Sequence, residues 1–220
     1  MKALVWHGRE DIRCDTVTDP EIQDPRDAVI KVTSCAICGS DLHLFHNFIP
    51  GMLPGDVMGH ETMGEVVDVG SGVDRKIKKG DRIVVPFTII CGECEQCKRG
   101  NFSVCETTNR KRHLADKAFG HTTAGLFGYT HLTGGYPGGQ AEYLRVPYAD
   151  ATHIKVSRNP RRAVAFSQRH LPDRLASGGA LRHRAYRHGS DLGLRAGRAD
   201  GDPKRHPARC QPGDRDRLPT

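Results

Sequence analysis

The chain has 220 residues, room for one full domain and part of another. Its 33 Lys+Arg and 26 Asp+Glu give a net charge of +7, and no apolar run approaches the roughly 20 residues of a membrane span. MKALVWHGRE has no apolar core of a signal peptide, so a cytoplasmic protein without a membrane partner is expected, its eight cysteines reduced and clustered for metal.

The charge divides the chain. Residues 1–156 carry 18 Lys+Arg against 20 Asp+Glu, whereas residues 157–220 carry 15 against 6. The tail holds fourteen Arg and one Lys, with no Glu, Ile, Met or Trp. Two compositional regimes therefore meet near Val156.

The first regime is mainly β. Short β-branched runs suggest strands at Lys2–Trp6, Ala28–Thr33, Glu65–Val69, Arg82–Val85 and Ala141–Val146. Glycine-rich turns separate several of them, among them Gly134–Gly139. This spacing suggests a sandwich or partly open barrel. Residues 39–45 (GSDLHLF) can form a short helix after Cys38.

Cys91, Cys94, Cys97 and Cys105 follow the spacing C-x2-C-x2-C-x7-C. Four thiolates form a closed tetrahedral shell, the arrangement of a structural zinc. An iron–sulfur cluster uses four thiolates as well, and free or bridged thiols are the plainer alternative. A second, mixed set lies upstream: Cys38 in CGSDLH and His60-Glu61 in GHETMG. Cysteine, imidazole and carboxylate all bind zinc, and a site with few protein ligands leaves a position for substrate. Ser40 stands where a hydroxyl could take a proton, His43 where an imidazole could pass it on, and Asp41 could orient a ligand histidine. Phe45, His46 and Phe48 are candidate pocket residues, and Cys35 and Cys14 read as small buried hydrophobes.

GHETMGEVVDVGSGV (Gly59–Val73) has the pattern G-H-E-x2-G-x5-G-x2-V. With CGSD before it and the four-cysteine loop after it, the chain resembles the zinc-containing alcohol dehydrogenases of the medium-chain dehydrogenase/reductase family. GGYPGGQAEYLRVP (Gly134–Pro147) is similar to the formaldehyde-dehydrogenase-like subgroup. The resemblance covers residues 1–156 and implies a GroES-like partly open barrel with a zinc lobe at about residues 88–112. It further implies a catalytic zinc on Cys38 and His60, with Glu61 on or behind it and Asp41 supporting His60. Ser40 and His43 would form the proton relay, and Cys91, Cys94, Cys97 and Cys105 would hold a structural zinc. The implied reaction passes hydride from a small alcohol or aldehyde hydrate to NAD or NADP. Family members oligomerise.

Past Val156 the resemblance stops. No G-x-G-x-x-G opens the Rossmann domain that the family places there, and no Val/Ile-rich run suits a buried parallel strand. The family's third ligand to the catalytic zinc has no clear counterpart, His170 and Cys210 being possible in principle. Codons shifted forward by one nucleotide offer an explanation. Gly193–Arg198 then permits G-C-G-P-V-G, and Gln168–Ala176 permits SDIFPTGWQ, with an Asp read through Arg169. Residues 157–220 therefore read as an out-of-frame remnant of a Rossmann domain, too poor in apolar surface to fold and expected to be disordered. An inactive truncated enzyme is the resulting expectation. A zinc-binding pseudoenzyme and a basic-tailed nucleic-acid-binding zinc protein are the alternatives. Specific nucleic-acid binding is disfavoured, because the tail has one Phe, one Tyr and no Trp to stack on bases.

Overall fold

The computed structural model describes residues 1–73 and 76–156. The expected tail disorder, the out-of-frame remnant, His170 and Cys210 all lie outside the described residues.

Ten strands and three α-helices make up the described part. The strands are β1 (Lys2–Gly8), β2 (Asp11–Thr16), β3 (Ala28–Cys35), β4 (Asp56–Val57) and β5 (Thr62–Val69). They continue with β6 (Arg82–Val85), β7 (Thr88–Ile89), β8 (Gly125–Leu126), β9 (Tyr143–Val146) and β10 (Ile154–Lys155). The helices are α1 (Gly39–Phe45), α2 (Glu95–Lys98) and α3 (Arg112–Phe119). A five-stranded sheet runs β10-β6-β5-β3-β9, a three-stranded sheet runs β2-β1-β4, and β7 pairs with β8. Every ladder among the described residues is antiparallel. None of their helices is long and apolar enough to cross a membrane.

Alternation builds the core. Ala28 and Ile30 on β3, Val66 on β5, Ile83 and Val85 on β6, and Leu144 and Val146 on β9 all point inward and pack with Phe127. Each Val, Ile, Leu or Phe so buried contributes about 1.5–3 kcal/mol. The register of β3 against β5 slips twice, between Val29 and Ile30 and between Val32 and Ser34. Such bulges bend a sheet toward closure.

The glycine-rich loop closes the barrel beside the segment carrying His60. Gly138 N–H donates to Val57 O (2.9 Å), Gly139 N–H to Gly59 O (2.8 Å) and Gln140 N–H to Met58 O (2.9 Å). The approach admits no side chain: a Cβ on Gly138 would lie 2.3 Å from Met58 O, and one on Gly139 2.0 Å from Thr62 Oγ1.

Several expected elements match closely. The helix expected at residues 39–45 is α1, and the five expected strands coincide with β1, β3, β5, β6 and β9 apart from their ends. β2 (DIRCDT) is a polar strand with no fully buried residue, and pairing with β1 holds it. Cys14 lies there opposite Leu4, half-buried, and Cys35 ends β3 half-buried, so neither is the fully buried hydrophobe expected.

Candidate metal centres

The four-cysteine loop leaves the barrel after β7 and returns at β8. Cys94 caps α2, its sulfur accepting the Cys97 N–H at 3.4 Å. Cys91 Sγ accepts the N–H groups of Glu93 (3.5 Å) and Cys94 (3.3 Å). Gly92 and Gly100, at φ of 76° and 81°, supply left-handed turns that other residues rarely adopt. The sulfur separations are 3.9 Å for Cys91–Cys97, 3.8 Å for Cys94–Cys105 and 3.6 Å for Cys105–Cys91. A disulfide needs about 2.05 Å. A zinc tetrahedron with sulfurs about 2.3 Å from the metal has edges of about 3.8 Å. The cluster therefore has the size of a zinc shell, and all four cysteines are unbridged.

Electrostatics agree with the geometry. Burial opposes ionisation of Cys91, but Thr107 and the two N–H groups outweigh it and bring the thiol down to about 6. Burial, reinforced by Cys94 and Cys105, pushes Cys97 strongly up. Burial and the neighbouring sulfurs thus oppose ionisation of the remaining thiols, a cost that a bound cation would offset.

Arg26 ties the lobe to the barrel. Its guanidinium forks onto Asp150 (Nε–Oδ1 3.0 Å, Nη2–Oδ2 2.7 Å) and donates to the carbonyl of Cys91 at 2.8 Å. Thr108 adds a second tie, donating to Ile89 O at 2.7 Å while its own carbonyl accepts from the Tyr136 hydroxyl at 2.6 Å.

The second centre forms where β3 passes into α1. Cys38 is the N-cap of that helix, and Asp41 accepts the Cys38 N–H at 2.7 Å in a capping box. The sulfur accepts the Ser40 N–H at 3.3 Å and lies 3.1 Å from His60 Nε2. On the far side of the ring, His60 Nδ1 is 3.4 Å from Asp41 Oδ1. Both of those buried atoms lack a hydrogen-bond partner among the described residues. A proton on Nδ1 shared with Asp41 would leave the Nε2 lone pair aimed toward Cys38, the orientation a metal-binding histidine requires. Burial opposes charge on His60, but Asp41 and then Cys38 raise its pKa to about 9. Burial likewise opposes the Cys38 thiolate, and Ser40 and then His60 bring the thiol below its ordinary value. A negative sulfur beside an imidazole is a donor pair suited to zinc.

These groups open onto a cleft of about 340 Å³ bordered by Cys38, Ser40, His60 and Glu61 on one side. Phe87, Leu126, Phe127 and Tyr129 face them. The structure thus brings together Cys38, Ser40, Asp41, His60 and Glu61. Glu61 borders the cleft, but the donor atoms that converge belong to Cys38, Asp41 and His60. His43 lies elsewhere, exposed on α1 beside Phe48 at 6.1 Å. Phe45, His46 and Phe48, expected to line the pocket, do not border the cleft: the Phe45 and His46 rings meet edge to face, those of His46 and Phe48 stack, and Phe48 is 68% exposed. The apolar wall, including Tyr129 at 6.1 Å from the His60 ring, carried no sequence signal because its residues lie far along the chain, Phe87 27 residues and Tyr129 69 residues beyond His60.

Comparison with known proteins agrees with this architecture. Residues 24–156 match the model of the alcohol dehydrogenase GroES-like domain. The uncharacterized zinc-type alcohol dehydrogenase-like protein AdhB of Bacillus subtilis is 51% identical over 156 residues, covering 71% of this chain and 39% of that protein. Glutathione-independent formaldehyde dehydrogenase of Pseudomonas aeruginosa is 36% identical over 173 residues, covering 76% and 39%. Among solved structures, the alcohol dehydrogenase TADH from Thermus sp. ATN1 superposes with a TM-score of 0.62 at 38% identity, over 72% of this chain and 41% of that one. The chain thus spans about two-fifths of the length of these relatives. Taken with the two donor clusters, these matches show that the chain belongs to the zinc-type alcohol dehydrogenase-like family of medium-chain dehydrogenases/reductases, represented by its GroES-like domain.

Proposed function

We propose that this chain is the substrate-handling half of a zinc-dependent dehydrogenase acting on a small alcohol or aldehyde hydrate. The observation that carries the reading is the Cys38–His60 pair, 3.1 Å apart, at the edge of a cleft that Ser40 also borders. A cation there would supply Lewis acidity toward a substrate oxygen, and NAD or NADP would supply the hydride acceptor. Cys38 and His60 hold that cation, with Glu61 as a carboxylate at the cleft. Asp41 fixes the His60 ring. Ser40 takes the substrate proton, and His43, one helical turn away and exposed, releases it to solvent. Phe87, Leu126 and Tyr129 exclude water from the carbon that loses hydride. Cys91, Cys94, Cys97 and Cys105 hold a second zinc that shapes the lobe and takes no part in the reaction.

Residues 157–220 are in this reading an out-of-frame remnant of the cofactor domain, so the chain itself transfers hydride negligibly. The test has three parts. Metal analysis of the purified chain should find about two zinc per molecule, one for each donor cluster, and one zinc only in Cys38→Ser. NAD reduction with formaldehyde or ethanol should be absent. Resequencing across the codons for Val156–Arg162, followed by expression of the restored frame, should recover it. A wild-type protein that binds a single zinc, retained in Cys38→Ser, refutes the assignment of the cleft.

A further inference from the structure

A second cavity of about 340 Å³ lies on the opposite side of the Phe127–Tyr136 ring pair and shares no lining residue with the cleft. The segment at residues 17–23, the Tyr136–Gly138 turn and β9 enclose it. Two guanidinium groups face it from different elements. Arg110 lies over the Tyr136 ring at 4.3 Å, and no carboxylate among the described residues pairs with it. Arg145 has a side chain only 12% exposed, held through Nη1 on Asp27 Oδ2 at 2.7 Å. Its Nε and Nη2 donate to no protein group among the described residues. Stacking on Tyr136 and bonding to Asp27 restrict both cations before any ligand arrives, which reduces the ordering entropy of binding. The remaining wall is apolar, formed by Val17, Val57, Pro137 and Leu144. Glu21, exposed at the rim, is the one carboxylate among the described lining residues.

We propose that this cavity is a binding site for a small organic carboxylate with an apolar body, its carboxylate received by Arg110 and Arg145. Fixed guanidinium forks match carboxylate geometry better than lysine does. The cavity size suits a ligand of one or two rings. Tyr136 forms the common wall, since its ring meets Phe127, which borders the cleft.

The probe is 1-naphthoate, followed by its own fluorescence against the zinc-loaded full chain, with neutral 1-naphthalenemethanol as control. The expected result is saturable binding of about one naphthoate per chain and binding of the alcohol at least about tenfold weaker, the value of one charged fork. Arg110→Ala, a surface change that leaves the fold intact, should weaken naphthoate about tenfold. Arg145→Lys, which retains a cation for Asp27, should weaken it as well, and Glu21→Gln should tighten it. Cys38→Ser should leave it unchanged. The proposal is overturned if naphthoate does not saturate, if Arg110→Ala binds it as wild type does, if the neutral analogue binds equally, or if Cys38→Ser abolishes binding and so places the probe in the cleft.

Discussion

Replacing Arg26 by Ala should loosen the four-thiol lobe without touching a sulfur. The side chain is 20% exposed and its partner Asp150 19%, so solvent screens the pair only in part. Two charged hydrogen bonds join them, and a third reaches the carbonyl of Cys91. Glu93 also lies 3.0 Å away, but at 76% exposure it contributes about 0–1 kcal/mol. Charged hydrogen bonds are worth about 1.5–3 kcal/mol each, and truncation leaves Asp150 without its cation. Asp150 lies on the barrel side with Arg26, so apart from the exposed Glu93 contact only the bond to the Cys91 carbonyl crosses to the lobe, and the expected loss for opening the lobe away from the barrel is about 2 kcal/mol. At about 1.4 kcal/mol per decade, metal release through that opening should accelerate by about 30-fold. The assay is stopped-flow transfer of zinc to a chromophoric chelator, which resolves two release phases when both centres are loaded. Arg26→Ala should speed the phase that Cys38→Ser leaves in place, and Arg26→Lys should fall between. Asp150→Asn in the Arg26→Ala background should add little, since the two residues act on each other. Release from Arg26→Ala within about twofold of wild type, at equal zinc content, would show that Arg26 does not hold the lobe closed.

Asp41→Ala removes both the cap of α1 and the support of His60, so zinc affinity at the cleft should fall about 10–100-fold while the lobe stays loaded. Competition against a calibrated chelator measures the fall, and equal losses at both sites would contradict it. Gly139→Ala places a methyl 2.0 Å from Thr62 Oγ1 and should cost at least about 3 kcal/mol in urea unfolding, because the neighbouring backbone is already bonded to Gly59. Tyr136→Phe deletes the 2.6 Å bond to Thr108 O and should cost about 1–2 kcal/mol by the same measurement. Burial holds the pKa of His153 below its ordinary value despite the bond to Ala149 O. The unfolded chain therefore takes up the proton first, so this contribution is present above about pH 6.5 and is lost as pH falls toward the folded value. His153→Gln should flatten that part of the stability profile.

The metal lobe and the start of α1 were legible because their information is local. Cys91, Cys94, Cys97 and Cys105 lie within fifteen residues, so short loops and left-handed glycines bring four sulfurs together at little entropic cost. Cys38-Gly-Ser-Asp likewise encodes its own cap, since Asp41 reaches back three residues to the Cys38 N–H. The order of Cys38 and His60 also pointed to a site, although only the pairing of β3 with β5 brings their side chains to 3.1 Å. Short strands such as β4, β7, β8 and β10 escaped the reading, because two residues carry no periodicity. Tertiary structure alone decided the apolar wall of Phe87, Leu126 and Tyr129, the exclusion of Phe45 and Phe48 from it, and the Arg26 tie across 124 residues to Asp150. Those contacts depend on how an antiparallel barrel closes. Closure is set by bulges and by the passage of Gly138 and Gly139 against Met58 and Thr62, geometry that no window of sequence contains.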